Sequence, residues 1–67
     1  MNWHQHIVAD SKILYGKPVI NHTRIPVDLI LEKLASGDTV DDLLHAYPNI
    51  TREDITACLL FAAEAVK

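Results

Sequence analysis

Residues 16–55 read GKPVINHTRIPVDLILEKLASGDTVDDLLHAYPNITREDI, and this stretch decides the fold. It contains three points where a helix can begin: Pro26, Thr39 and Thr51. Proline suits a first helical position, because its missing N–H would be unpaired there. A threonine side chain can accept a hydrogen bond from a free N–H of the first turn. The sequence therefore predicts three consecutive helices.

The spacing of apolar residues supports the first two helices. In the first they recur at i, i+3, i+4, i+7 and i+8, namely Val27, Ile30, Leu31, Leu34 and Ala35. Gly37 is expected to end this helix, since glycine accepts left-handed backbone angles. The second helix is shorter and its stripe consists of Val40, Leu43, Leu44 and Tyr47. Pro48 is expected to end it.

The third predicted helix is apolar on all sides over residues 57–63. Thr51 and Asp54 stand at the capping-box spacing at its start. A helix that is apolar all round is buried on more than one side. We therefore predict a homodimer that forms through Leu60 and Phe61, and the N-terminal strands of the same chain are the alternative cover. Cys58 lies within this run and is expected to behave as a small buried hydrophobe.

The N-terminal quarter is predicted to be extended. Residues 7–9 and 18–20 are short strand candidates, because they are apolar and because a residue before proline disfavours helix. Residues 21–24 are all polar and are expected to form a turn. The fold class is thus mainly α: a three-helix, helix-turn-helix-like domain with a short N-terminal β-strand or hairpin arm. Residues 1–67 form one domain, with an extended arm at 1–25 and a three-helix unit at 26–67.

Size and charge narrow the functional class. Sixty-seven residues lie near the lower limit for an unaided core, and one cysteine permits no internal disulfide. The absence of a long apolar run predicts a cytoplasmic protein with no membrane contact. The net charge of −3 is unevenly distributed along the chain. Residues 1–25 carry three cations and one carboxylate, a net charge of +2, whereas residues 26–67 carry three cations and eight carboxylates, a net charge of −5.

No constellation typical of an enzyme or a metal centre stands out, so the sequence predicts no catalytic residue, metal or cofactor. His4 and His6 are two residues apart, so in a strand their side chains would point to the same side and could hold a metal ion. Two histidines without a third ligand are more typical of a polar terminus. His22 and Asp28 offer groups for hydrolysis without any spacing that fixes their geometry. Thr23 and Arg24 are instead expected to cap or clamp the adjacent helix.

DNA binding is the main alternative to protein binding. In a helix-turn-helix the second helix of the motif enters the major groove, and here that helix begins with Arg52, followed by two acids that repel phosphate. The side chains predicted to contact nucleic acid are Lys12, Lys17, Arg24, Arg52 and Thr56.

Two runs, GKPVI at 16–20 and TRIPV at 23–27, carry a family resemblance. They resemble the GKPVIxGTRIPV signature of the prokaryotic domain-of-unknown-function family 433, and the likeness extends over about residues 7 to 65. The resemblance implies a small helix-turn-helix protein, in some members a VapB-type antitoxin that binds a PIN-like ribonuclease toxin. We therefore expect an antitoxin-like or regulatory interaction module, with a stand-alone DNA-binding regulator as the alternative. His22 and Tyr15 depart from the pattern by standing where glycine is common, so a turn with positive φ at position 22 would be strained.

Overall fold

The computed structural model describes residues 1–67 and contains three helices and one small sheet. The helices are α1 (Val27–Ala35), α2 (Val40–Ala46) and α3 (Arg52–Ala65). The strands β1 (Ile7–Val8) and β2 (Val19–Ile20) pair antiparallel, and short 3₁₀ turns occur at Trp3–Gln5 and Leu14–Gly16. The predicted mainly α domain with a short hairpin arm is confirmed.

The second half of the arm is tied directly to the start of α1. After the β1–β2 pair the chain turns at residues 21–24, and the backbone N–H of Ile20 donates to the Ile25 carbonyl at 2.9 Å. The N–H of Val27 then donates to the Pro18 carbonyl at 3.0 Å. Pro26 is the N-cap and not the first helical residue, and it has no side-chain capping bond. The residue that immediately precedes β2 therefore satisfies the first free N–H of α1.

The ends of the helices follow the sequence signals. Gly37 has φ of +102°, and its N–H and that of Asp38 close the end of α1 on the carbonyls of Leu34 and Lys33. Thr39 and Asp42 form a reciprocal capping box at α2, and Thr51 and Asp54 form another at α3. These predicted caps are confirmed.

The core lies where α1, α2 and α3 meet the small sheet. The most deeply buried large side chains come from all four elements: Val19, Ile20, Val27, Ile30, Leu43, Ile55 and Cys58. Leu31 and Leu34 are only half-buried and Ala35 is exposed, so the apolar stripe of α1 is narrower than predicted. Burial raises the pKa of the Cys58 thiol to about 12, and the nearby charge of Asp54 adds to the rise, so this cysteine is an inert part of the core.

The N-terminal arm packs against α3 and covers one of its sides. The Trp3 ring meets Phe61 edge-to-face, with ring centroids 5.2 Å apart. His6 Nδ1 lies 2.9 Å from Asp54 Oδ1, while the other carboxylate oxygen of Asp54 serves the capping box. Part of the cover that α3 requires thus comes from its own chain. Phe61 belongs to this intramolecular contact, and Leu60 does not.

Candidate functional site

An apolar surface remains on α3 after the arm and the other helices have packed. Its centre is Leu59, Leu60 and Ala63, with Thr56 at one end and the C-cap residue Val66 at the other; all five are exposed, and the surface is called here the α3 stripe. Leu59 and Leu60 keep 49% and 39% of their surface exposed, and Val66 keeps 84%. Residues 56, 59, 63 and 66 follow the 3–4–3 spacing of one helix seam. The remaining uncovered side of α3 therefore has the pattern by which two helices pair.

Sequence reasoning identified Leu60 but missed Leu59. The run at residues 57–63 is uniformly apolar, so the composition did not show which side faces solvent. The burial of Ala57 and Cys58 fixes the inner side and turns Leu59 outward. A helical projection that placed Ile55 and Cys58 inward would have found it.

The five side chains predicted to contact nucleic acid do not form one surface. Lys17 Nζ lies 2.7 Å from Asp28 Oδ2, and Arg52 is paired with Asp41. Thr56 is exposed within the α3 stripe. Lys12 and Arg24 line one common cavity and have no carboxylate within 4 Å. The structure thus brings together only these two of the five.

Two shallow cavities adjoin each other at Arg24. One has a volume of about 400 Å³ and is lined by Val8, Ile13, Asn21, His22, Thr23 and Arg24. The other has a volume of about 320 Å³ and is lined by Ser11, Lys12, Leu14, Tyr15 and Arg24. The exposed side chains of Lys12, Tyr15, His22 and Arg24 are called here the loop face.

The turn beneath the loop face is held by its own polar groups. The Thr23 hydroxyl donates to the Ile20 carbonyl at 2.7 Å and accepts from the Ile25 N–H at 3.0 Å. The Asn21 amide donates to the Gln5 carbonyl at 3.3 Å. Thr23 therefore clamps the turn, and α1 has no side-chain cap, so the prediction that Thr23 and Arg24 cap or clamp this helix is wrong. Arg24 makes no such bond and projects from the turn.

Backbone strain is concentrated at the loop face. Leu14, Tyr15 and His22 are the non-glycine residues with positive φ, at 48°, 58° and 65°. His22 therefore has the positive φ on which the expectation of a strained turn depends. Tyr15 is the other position where the family signature favours glycine. Both departures from that signature therefore keep a glycine-type backbone and place a large side chain upon it.

The titratable groups are dispersed over the surface. His4 Nδ1 lies 2.8 Å from Asn2 Oδ1, and its ring stacks on Trp3, whereas His6 is engaged with Asp54. No three or more His, Cys, Asp or Glu side chains are grouped so that they could hold a metal ion. His22 and Asp28 line different cavities, and Asp28 is paired with Lys17. None of the three helices has the length and apolar character needed to cross a bilayer.

Comparison with known proteins identifies the family. Residues 7–62 match the family described as "Protein of unknown function (DUF433)", and the chain belongs to it. A crystal structure of a DUF433 member from Anabaena variabilis ATCC 29413 superimposes with a TM-score of 0.84 at 28% identity. That match covers 94% of this chain and 66% of the Anabaena chain.

Two curated relatives share parts of the sequence. The uncharacterized protein y4eO of Sinorhizobium fredii (strain NBRC 101917 / NGR234) is 32% identical over 56 residues, which are 84% of this chain and 25% of y4eO. An uncharacterized protein of Archaeoglobus fulgidus is 62% identical over 24 residues, which are 36% of this chain and 67% of that protein. The chain therefore spans only a quarter of the length of y4eO.

Proposed function

We propose that this chain is a non-enzymatic interaction module of the cytoplasm, antitoxin-like or regulatory, which acts by binding a partner protein such as a PIN-like ribonuclease. The observation that carries association between copies is the α3 stripe, an exposed apolar surface on a helix whose opposite side is packed. The ribonuclease partner is proposed from the net charge of −5 over residues 26–67. Exposed apolar side chains such as Leu59 and Ala63, four residues apart on one side of a helix, favour association over a free surface. A match that fills only a quarter of y4eO also suits a module that operates within larger assemblies.

A second copy of the chain is the proposed occupant of the α3 stripe. Two α3 helices could pair through Leu59 and Ala63, since a small residue between larger ones allows close approach of the backbones. Such a dimer would add the apolar burial that a domain of this size needs. Phe61, the other residue of the predicted dimer contact, packs on Trp3 of its own chain.

The proposed ribonuclease partner would meet the acidic surface. Residues 26–67 carry a net charge of −5. Asp41, Asp42 and Glu53 are exposed in the first turns of α2 and α3. A nuclease surface that holds RNA is basic, and complementary charge speeds encounter and disfavours wrong partners.

Light scattering after gel filtration tests the proposed dimer. At tens of micromolar the wild type is expected to be a dimer, and Leu59→Glu a folded monomer, because a charge in the seam would be buried without a partner. Ala35→Glu is the matched control, since Ala35 is also exposed on a helix but lies outside the α3 stripe. A monomeric wild type contradicts the proposal, and so does equal dissociation by both variants.

Calorimetric titration tests the ribonuclease partner separately. PIN-like ribonucleases from the source genome are titrated with the chain, and at least one is expected to bind with an affinity that falls as salt rises. Glu53→Gln is expected to weaken that binding, whereas Glu32→Gln, an exposed position on α1, leaves it unchanged. Absence of binding to every such ribonuclease at low salt removes this partner.

The stand-alone DNA-binding regulator has less support as the second candidate. Helices α2 and α3 follow one another as in a helix-turn-helix, but Arg52 is paired with Asp41 and Asp54 is committed to Thr51 and His6. The first turn of α3 therefore offers one guanidinium that already faces a carboxylate, beside Glu53 and Asp54, which repel phosphate. A gel shift with the gene's own promoter decides the matter: tight, sequence-specific binding at physiological salt puts the regulator first.

A further inference from the structure

The loop face contains two of the three cations that have no acidic partner. Of the six Lys and Arg side chains, Lys17, Arg52 and Lys67 lie within 4.0 Å of a carboxylate. Lys33 is half-buried on α1. Lys12 and Arg24 line one cavity together, and Arg24 also lines the next cavity beside His22. The cationic groups available to an external anion are thus concentrated on this face.

Tyr15 adds an aromatic surface beside these cations. Its side chain is 100% exposed, although it stands on a backbone with φ of +58° that disfavours a side chain of this size. No ring of the chain stacks on it, and it lines the same cavity as Lys12 and Arg24. The fold does not use this ring for its own packing.

We propose that the loop face binds single-stranded nucleic acid, with Arg24 and Lys12 on neighbouring phosphates, Tyr15 stacked on one base and His22 at the edge of the path. Unpaired bases stack on exposed aromatic side chains, and cations beside the ring hold the backbone. A duplex conceals its base faces, so the Tyr15 ring would find no partner there. This activity goes beyond the proposed protein binding, and the two stand or fall separately, because the α3 stripe contributes no residue to it.

The chemistry predicts a weak and salt-dependent complex. Each phosphate contact with a single strand contributes roughly −0.7 to the slope of log K against log salt, so two contacts give about −1.4. The net charge of −3 opposes approach of a polyanion, so binding is expected mainly at low salt.

Fluorescence anisotropy with three labelled probes tests the proposal: a twelve-nucleotide single-stranded RNA, the DNA of the same sequence, and its duplex. Binding of the RNA, of the single-stranded DNA or of both, at least about ten-fold tighter than of the duplex, is expected. The ratio of the first two affinities shows whether the sugar is read. Equal binding of the duplex, or no single-strand binding at the lowest salt, overturns the proposal.

Substitutions assign the contacts. Tyr15→Gly suits the positive φ and should fold normally, but its affinity should fall about ten-fold through lost stacking, whereas Tyr15→Phe should stay within about two-fold of the wild type. Arg24→Gln should make the salt slope shallower by about 0.7. Lys67→Gln removes the same charge outside the loop face and should bind as the wild type does. Unchanged affinity in Tyr15→Gly, or equal losses in Arg24→Gln and Lys67→Gln, contradicts the assigned site, and circular dichroism verifies that each variant is folded.

Discussion

The arm at residues 1–25 and the three-helix unit at residues 26–67 are held in place by different means. The helices are specified locally, by capping boxes at Thr39 and Thr51 and by a glycine turn at Gly37. The arm contains two strands of two residues each, which are too short to be stable alone. It is fixed by what it contacts on the helices. Local signals therefore determine one part of the molecule, and tertiary contacts determine the other.

Besides the shared apolar core, which includes Ile7 and Ile20, specific contacts join the two regions. The Pro18 carbonyl accepts from Val27, His6 meets Asp54, and Trp3 meets Phe61. The first contact pairs a free N–H at the start of α1, and the other two attach the arm to α3. Since the functional proposals divide in the same way, with the loop face on the arm and the α3 stripe on the helices, these contacts also define how the two surfaces are placed.

The largest expected effect is in the helical core. Leu43 is fully buried on α2 whereas its neighbour Leu44 is half-buried. Leu43→Ala should lower the free energy of unfolding by roughly 2–5 kcal/mol, with loss of burial and a cavity both contributing. Leu44→Ala should cost distinctly less, and urea unfolding measures both. Equal losses would show that burial does not rank these positions.

This pair also shows the limit of reading a helix face from sequence. The i, i+3, i+4 spacing located the apolar stripes of α1 and α2 and most of their ends. It did not separate Ile30, which is fully buried, from Leu31, which is half-buried. Those differences depend on which neighbouring element covers each position, and Ala35 is exposed because none reaches it.

The second expected effect concerns attachment of the arm. Trp3→Ala removes the edge-to-face contact with Phe61 and exposes part of α3, at a cost of roughly 1–3 kcal/mol. Amide hydrogen exchange should then accelerate in β1 and at the N-terminal turn more than in α1. Gln5→Ala, at an exposed position of the same N-terminal turn, is the control. Uniform acceleration throughout the chain would mean that the arm is an inseparable part of the helical fold.

The pairing of the arm was not predictable from its own residues. Residues 7–9 and 18–20 read as extended, and their antiparallel register of Ile7 with Ile20 emerged only in the structure. The attachment through Trp3, His6 and Asp54 joins positions about fifty residues apart, for which a single sequence carries no spacing signal. The loop face was partly visible, because Lys12 and Arg24 stood out by charge. Tyr15 stood out only as a departure from a glycine in the family signature.

The capping box at α2 is purely local, whereas the capping box at α3 also holds the arm. Asp42 and Asp54 occupy equivalent capping-box positions, but only Asp54 contacts the arm, through His6. Asp54→Ala should lose roughly 1–2 kcal/mol of unfolding free energy, and Asp42→Ala should lose less. Thermal unfolding of the two variants at neutral pH measures the difference. Equal losses would show that the His6 contact adds nothing.

Acid should affect the local cap in a defined direction. The backbone N–H and the hydroxyl of Thr39 hold the pKa of Asp42 below its ordinary value of 3.8. Because the folded pKa is lowered, the stabilising contribution is complete above that value and is lost as the pH falls through the folded pKa. The stability gap between the wild type and Asp42→Ala should therefore narrow below pH 3.8. A gap that stays constant into strong acid would exclude the carboxylate as its source.

The smallest expected effect concerns the strained residues of the arm, and its sign is opposite. His22 has φ of +65°, where a side chain costs free energy that glycine avoids. Glycine also increases the conformational entropy of the unfolded chain, which offsets part of this stabilisation. His22→Gly should therefore raise the free energy of unfolding by roughly 0.5–1 kcal/mol. Gly37→Ala is the reciprocal control in the helical unit: a methyl group there would meet no atom within 4 Å, so any loss reports its φ of +102° alone. Destabilisation by His22→Gly in urea unfolding would mean that the imidazole stabilises the turn. The expected increase in the free energy of unfolding would instead show that the His22 side chain lowers the stability of the arm that carries it.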